Sequence, residues 1–158
     1  MVRYGSFRKE NKKMKKIIIL FVLLASLVAC GTTKEVETIC QQEYGDFVLE
    51  VSYFSKKDKI ERMEQVATTT VDGVSDEEVA EVMDAFFTEY NAITGVTYAY
   101  TYANGELVEI ITMDFNKMSN SDMISLGVLG YGDANVDYIS LEKTLDNQKA
   151  AGVTCTTK

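Results

Sequence analysis

The 158-residue chain contains no histidine. That absence removes the Ser-His and Cys-His nucleophile pairs and the commonest metal-ligating side chain. Cysteine is scarce too: Cys30, Cys40 and Cys155 are the three, and none is spaced as Cys-x-x-Cys. Zinc knuckles and thioredoxin-like redox chemistry are excluded on that ground. No glycine-rich stretch fits a phosphate cradle. Long apolar runs are also missing. Ile17 to Ala29 spans thirteen uncharged residues, short of the roughly 20 needed to cross a hydrocarbon core.

What is present around that short run explains it. Lys12, Lys13, Lys15 and Lys16 precede it, and small residues end it. Basic, then apolar, then small is the order of a secretory signal peptide. Leu27-Val28-Ala29-Cys30-Gly31 then resembles the lipobox of bacterial lipoprotein precursors. The resemblance implies that the Cys30 sulfur receives a diacylglyceryl group and that cleavage falls just before Cys30. A thiol suits that transfer because the thiolate is a good nucleophile. The alternative is an ordinary signal peptide with a chance cysteine; the position of Cys30, with Gly31 after it, favours lipidation. Two acyl chains hold a protein stably at a membrane where one holds it marginally. The expected partner of Cys30 is therefore the cell membrane, on its extracytoplasmic side. Residues 1–29 are read as the leader. Met14 begins a leader that is complete in itself, so the native start is expected there.

Removing the leader changes the charge. Seven of the 16 Lys and Arg precede Cys30 but only one of the 24 Asp and Glu, which leaves 9 basic and 23 acidic side chains, a formal charge of −14. Nucleic acid is not an expected partner, because it needs clustered cations to displace its counterions. The same deficit argues against docking on anionic lipid headgroups.

The remaining 129 residues suit one domain with one core. Residues 30–37 form a lipidated polar tether, and 38–158 form the domain. "ETICQQEY" reads as a first strand, with Gly45-Asp46 as a tight turn. "FVLEVSYF" alternates Phe47, Leu49, Val51 and Tyr53 onto one face. "SKKD" turns the chain into a long strand, "KIERMEQVATTTV". Ser75 and Glu78 make a capping box. The helix they open carries Val79, Val82, Met83, Phe86, Phe87 and Tyr90 as one apolar stripe, expected to be core, with Gly95 as its stop. Asn104-Gly105 is the preferred pair for a type I′ hairpin. It pairs Ala103 with Glu106 and sets Tyr98, Tyr100 and Tyr102 on the face of Leu107, Ile111 and Met113. Two weaker helices follow, near 121–129 and 141–150, and "VTCTT" is a final strand. The expectation is an α+β fold: an antiparallel sheet of about five to seven strands with two to three helices on one face.

The capped helix ending "EYNAITGV", the hairpin closing "ITMDF", the late "YISLEKT" and the terminal "AGVTC" resemble the YehR-like small bacterial lipoproteins, a domain of unknown function. The resemblance covers the lipobox and nearly all of 38–158. It implies an α+β fold and a cell-envelope location, and it brings no activity and no binding residue.

Chemistry is otherwise sparse. Asp133, Asn135 and Asp137 look like the start of a calcium loop, but Tyr138 and Thr144 stand where glycine and glutamate are needed. A solvated acidic loop is the preferred reading, and neither metal nor cofactor is expected. The tyrosines of the hairpin could form a platform for sugar or peptide; alternating tyrosines under a helix more often pack as cross-strand pairs. Two functions remain. One is a non-catalytic envelope lipoprotein that binds a small ligand or a partner protein. The other is a small extracytoplasmic hydrolase using carboxylates, for which two carboxylates converging in a deep pocket would speak. No catalytic residue is assigned.

With Cys30 taken by lipid, Cys40 and Cys155 remain. A disulfide and two buried free thiols are the alternatives. Parity and an oxidising compartment favour the bridge, which requires the first and last strands to be neighbours.

Overall fold

The computed structural model describes residues 34–158 except Ala134. The leader, Cys30 and the first tether residues lie outside the described residues. Seven strands form one sheet: β1 (Val36–Tyr44), β2 (Phe47–Lys56), β3 (Lys59–Thr70), β4 (Val96–Ala103), β5 (Glu106–Asp114), β6 (Ile139–Ser140) and β7 (Thr154–Thr157). Among the described residues three α-helices accompany them: α1 (Asp76–Asn91), α2 (Asn120–Ser125) and α3 (Leu141–Ala150). The strand order is β4-β5-β3-β2-β1-β7, with β6 on the end of β3 beyond β5. Every pairing is antiparallel. The protein is α+β.

Turn chemistry sets the register. Asn104 and Gly105 both have positive φ, as a type I′ turn requires. Ala103 pairs with Glu106, Tyr100 with Glu109 and Tyr98 with Ile111. The expected "SKKD" turn is tighter than four residues, because Lys56 already pairs with Lys59 and Lys57 takes a positive φ.

One face of the sheet carries the core. Cys40, Val51, Tyr53, Met63, Met113, Val96 and Tyr98 share it through register, and all three helices pack there. A bulge keeps Ile60 on that face. Phe54 pairs with Arg62 and Ser55 with Ile60, so Glu61 is the extra residue. Three positions before Met63, a regular strand would turn Ile60 to the opposite side; instead it is fully buried. The Glu61 carbonyl displaced by the bulge accepts from the Phe115 N–H at 3.0 Å.

Three expectations need correction. The α1 stripe is only partly core: Val79 and Met83 are buried, but Val82, Phe86 and Phe87 are 52%, 40% and 49% exposed. The reason is position, since α1 lies over the sheet-edge strand β4 and touches it along one narrow line. Gly95 does not cap α1, which closes at Ala92. It sits instead where the chain turns into β4, its carbonyl accepting from the Asp114 N–H at 2.7 Å. The helix expected over 121–129 ends at Ser125, where Gly127 reverses the chain with φ +71°.

Candidate functional site

Two clefts open on the helix-covered face. The larger, ≈ 330 Å³, lies between α3 and the turn after α2. Its floor is β2, β3 and β5, which supply Tyr53, Met63, Gln65 and Met113; its walls are Leu126 to Val128 on one side and Thr144, Asn147 and Gln148 on the other. Local sequence explains the wall. The Ser140 hydroxyl accepts from the Lys143 N–H at 3.2 Å and starts α3. Leu141 and Leu145 then pack against Tyr53, Ile60 and Cys40. Thr144 and Gln148 follow on the same side of the helix at three- and four-residue steps.

The polar groups of this cleft are amides and hydroxyls. Gln148 Nε2 donates to Tyr53 Oη at 3.0 Å, which leaves the Tyr53 O–H free to donate. Burial pushes the Tyr53 hydroxyl upward, and the Gln148 bond only partly offsets that. Tyr53 is therefore a neutral donor across the physiological range. Neither Asp nor Glu, nor Lys nor Arg, lines this cleft.

The smaller cleft, ≈ 240 Å³, shares Ile60, Phe115 and Ile139 with the first. Lys59 and Asp137 are its charged residues, and Lys59 Nζ donates to Asn116 Oδ1 at 2.7 Å. Asp137 is its one carboxylate, so neither cleft holds a carboxylate pair. Asp133, Asn135 and Asp137 are exposed, and among the described residues no three His, Cys, Asp or Glu side chains converge as a metal site.

The hairpin tyrosines are engaged in packing. Tyr90 of α1 stacks on Tyr98 at 5.4 Å. Tyr98 Oη donates to Glu109 at 2.6 Å, Tyr100 Oη to Asp84 at 2.8 Å, and Tyr102 Oη to the Val71 carbonyl at 3.0 Å. The stripe holds α1 and the loop before it on the sheet, and it offers no open platform.

Cys40 and Cys155 face each other across the β1–β7 ladder and are joined by a disulfide, Cα–Cα 4.0 Å. The bridge sits behind α3, against Leu141 and Leu145. Cys30 lies outside the described residues. The sequence reading assigned none of the residues in the larger cleft. A signal was available: Gln65 lies between Met63 and Ala67 on the core-facing side of β3, and Gln148 ends the Leu141–Leu145 stripe. Polar residues at inward positions mark a place where the core is left open.

Two relatives of this chain are named as uncharacterised lipoproteins. Listeria monocytogenes has an "Uncharacterized lipoprotein Lmo0207", 27% identical over 150 residues, which span 91% of this chain and 95% of that protein. The "Uncharacterized lipoprotein Lin0239" of Listeria innocua is 27% identical over 145 residues, 89% and 95% of the two chains. The NMR structure of the E. coli YehR protein superposes with a TM-score of 0.67 at 19% identity, covering 78% of this chain and 92% of that one. A Streptococcus pneumoniae TIGR4 protein, also solved by NMR, gives 0.56 at 13% identity over 99% and 98%. These two share the fold. Residues 38–154 match the family described as "Protein of unknown function (DUF1307)", and the chain belongs to that family.

Proposed function

We propose that this protein is a cell-envelope lipoprotein, held at the membrane through lipid on Cys30, whose domain binds a small uncharged ligand in the cleft between α3 and the turn after α2. The lipobox-like run ending at Cys30 and the two Listeria relatives named as lipoproteins support the anchor. One observation carries the binding reading. In a chain with 23 acidic residues after Cys30, the larger cleft is lined by apolar side chains and by Tyr53, Gln65, Thr144, Asn147 and Gln148. Apolar walls with a few convergent hydrogen-bonding groups are the usual make-up of a small-molecule site. A charged ligand would find no counterion there, so a neutral one bearing amide or hydroxyl groups fits best. The hydrolase alternative gains no support, because acid–base hydrolysis uses two carboxylates and neither cleft presents a pair.

The test is release of the bound compound. Lipoprotein purified from membranes without detergent exchange is denatured, and the small molecules set free are identified by mass spectrometry. A neutral compound released by the wild type and missing from a Gln65→Leu/Asn147→Leu variant is the expected result. Equal release from both proteins, or turnover of the compound during incubation, refutes the reading.

A further inference from the structure

The cations of this domain are not spread over it. β1 leaves the tether at Val36, which pairs with Ser55. Around that point stand Lys34, the turn Lys56-Lys57-Asp58-Lys59, and Lys158, whose N–H donates to the Glu37 carbonyl at 2.9 Å. Arg62 pairs with Asp114 in register, Lys117 binds Asp114 at 2.7 Å, and Lys143 lies in the first turn of α3, whose Glu142 N–H donates to Asp58 at 2.9 Å. Eight of the nine Lys and Arg after Cys30 thus lie at one end of the sheet, with Lys149 the exception.

Acids at that end are partly occupied, with Glu35, Asp133 and Asp137 exposed among them. Glu61 binds Lys56 at 2.7 Å, Glu37 lies 3.4 Å from Lys158, and Asp58 caps α3. The opposite end is different. Glu43, Asp46, Asp72 and Glu106 flank its turns, and Asp76, Glu77 and Glu78 open α1, with no Lys or Arg among those turns. The tether end is near charge balance, and the far end is strongly negative.

A second observation falls at the tether end. Leu129, packed on Val96 and Met118, leads into Gly130 and Tyr131, and Tyr138 Oη lies 3.5 Å from Asp58. Tyr131 is 92% exposed and Tyr138 49%. Tyrosine and lysine together are the side chains that settle at a membrane–water boundary, ring at headgroup depth and ammonium on phosphate.

We infer that the tether end is a membrane-docking surface, in which the Lys56–Lys59 turn and Tyr131 and Tyr138 rest on anionic lipid headgroups and the acidic end points away. The inference rests on the Cys30 anchor proposed above. Six residues from Cys30 to Val36 reach about 20 Å at full extension, little more than two Debye lengths at physiological salt, so the tether repeatedly returns the lysines to the headgroups. Within about one Debye length an anionic leaflet attracts the lysines and repels the far end. The formal charge of −14 on the residues after Cys30 argues against headgroup docking only if it is taken as uniform.

The full lipoprotein, ¹⁵N-labelled, is placed in nanodiscs of phosphatidylcholine alone or with 30% phosphatidylglycerol. A trace of gadolinium-chelate lipid broadens amides near the headgroups. Intact mass first reads the modification on Cys30. The expected result is selective loss of the Lys57, Tyr131 and Tyr138 amide signals, with those of Glu77 and Asn104 kept. The loss should be at least twofold stronger with phosphatidylglycerol. Lys57→Glu/Tyr131→Ser should abolish the lipid dependence while keeping the spectrum of the folded domain. A lipidated protein whose two ends broaden equally, or without dependence on phosphatidylglycerol, overturns the docking surface alone. An unmodified Cys30 overturns the anchor and the docking surface with it.

Discussion

The carboxamide of Asn91 satisfies both backbone polar groups of Tyr98. Its Nδ2 donates to the Tyr98 carbonyl at 3.0 Å, and its Oδ1 accepts from the Tyr98 N–H at 3.1 Å. The last residue of α1 thereby stands in for a neighbouring strand at the outer edge of β4. An open edge invites pairing with another chain. Asn91→Ala leaves these groups without their partner and should cost about 1–2 kcal/mol. Urea unfolding measures the loss, and light scattering should show more self-association than in the wild type.

Asp58 predicts part of the acid sensitivity. Its carboxyl is held below the usual carboxylate range, chiefly by the Glu142 N–H and then by the Ser140 hydroxyl. A folded-state value below the unfolded one means stability that is present above about pH 4 and lost as the pH falls through the folded value. Asp58→Asn should lower the urea midpoint at pH 7. The gap from wild type should close as the pH is taken from 4 to 2. A gap that stays constant over that range would contradict the assignment.

The Cys40–Cys155 bridge closes a separation of 115 residues. Loops of that size gain about 4–5 kcal/mol in the chain-entropy treatment, and native bridges about 2–5 in practice. Cys40→Ser/Cys155→Ser should lose about 2–5 kcal/mol in urea unfolding. Alkylation of the denatured wild type without reductant should label neither residue.

Gly95 and Gly45 both take positive φ, but their surroundings differ. A Cβ on Gly95 would lie 2.9 Å from the Asp114 carbonyl oxygen and 2.9 Å from Met118 Cγ, whereas one on Gly45 meets nothing within 4 Å. Gly95→Ala should therefore cost more than Gly45→Ala, by about 1–3 kcal/mol for the added crowding. Thermal unfolding of the two variants side by side gives the comparison.

Much of the fold is written in short-range chemistry. Asn104-Gly105 gives the β4–β5 register residue by residue, and Ser75-Glu78 and Ser140 mark where α1 and α3 begin. These signals act within four residues, so one sequence is enough to read them. The burial of α1 was not legible, because the periodicity of Val82, Phe86 and Phe87 does not say how much sheet lies beneath the helix. The bulge at Glu61 was not legible for a similar reason: it depends on β5 and β6 meeting the same edge of β3. The larger cleft is assembled from Gln65, Leu126 and Gln148. Only the placing of α3 and the turn after α2 over the same face of the sheet brings those three together.

The pairing of β1 with β7 has a consequence for how the chain is made. β1 is sealed on its outer edge by β7, far along the chain, so a chain growing from its N-terminus carries an open β1 edge and an unpaired Cys40 thiol until β7 emerges. Synthesis through β7 is thus recorded covalently. A molecule that has reached Cys155 can spend that thiol in the bridge, and one that stops before it still presents a reactive Cys40.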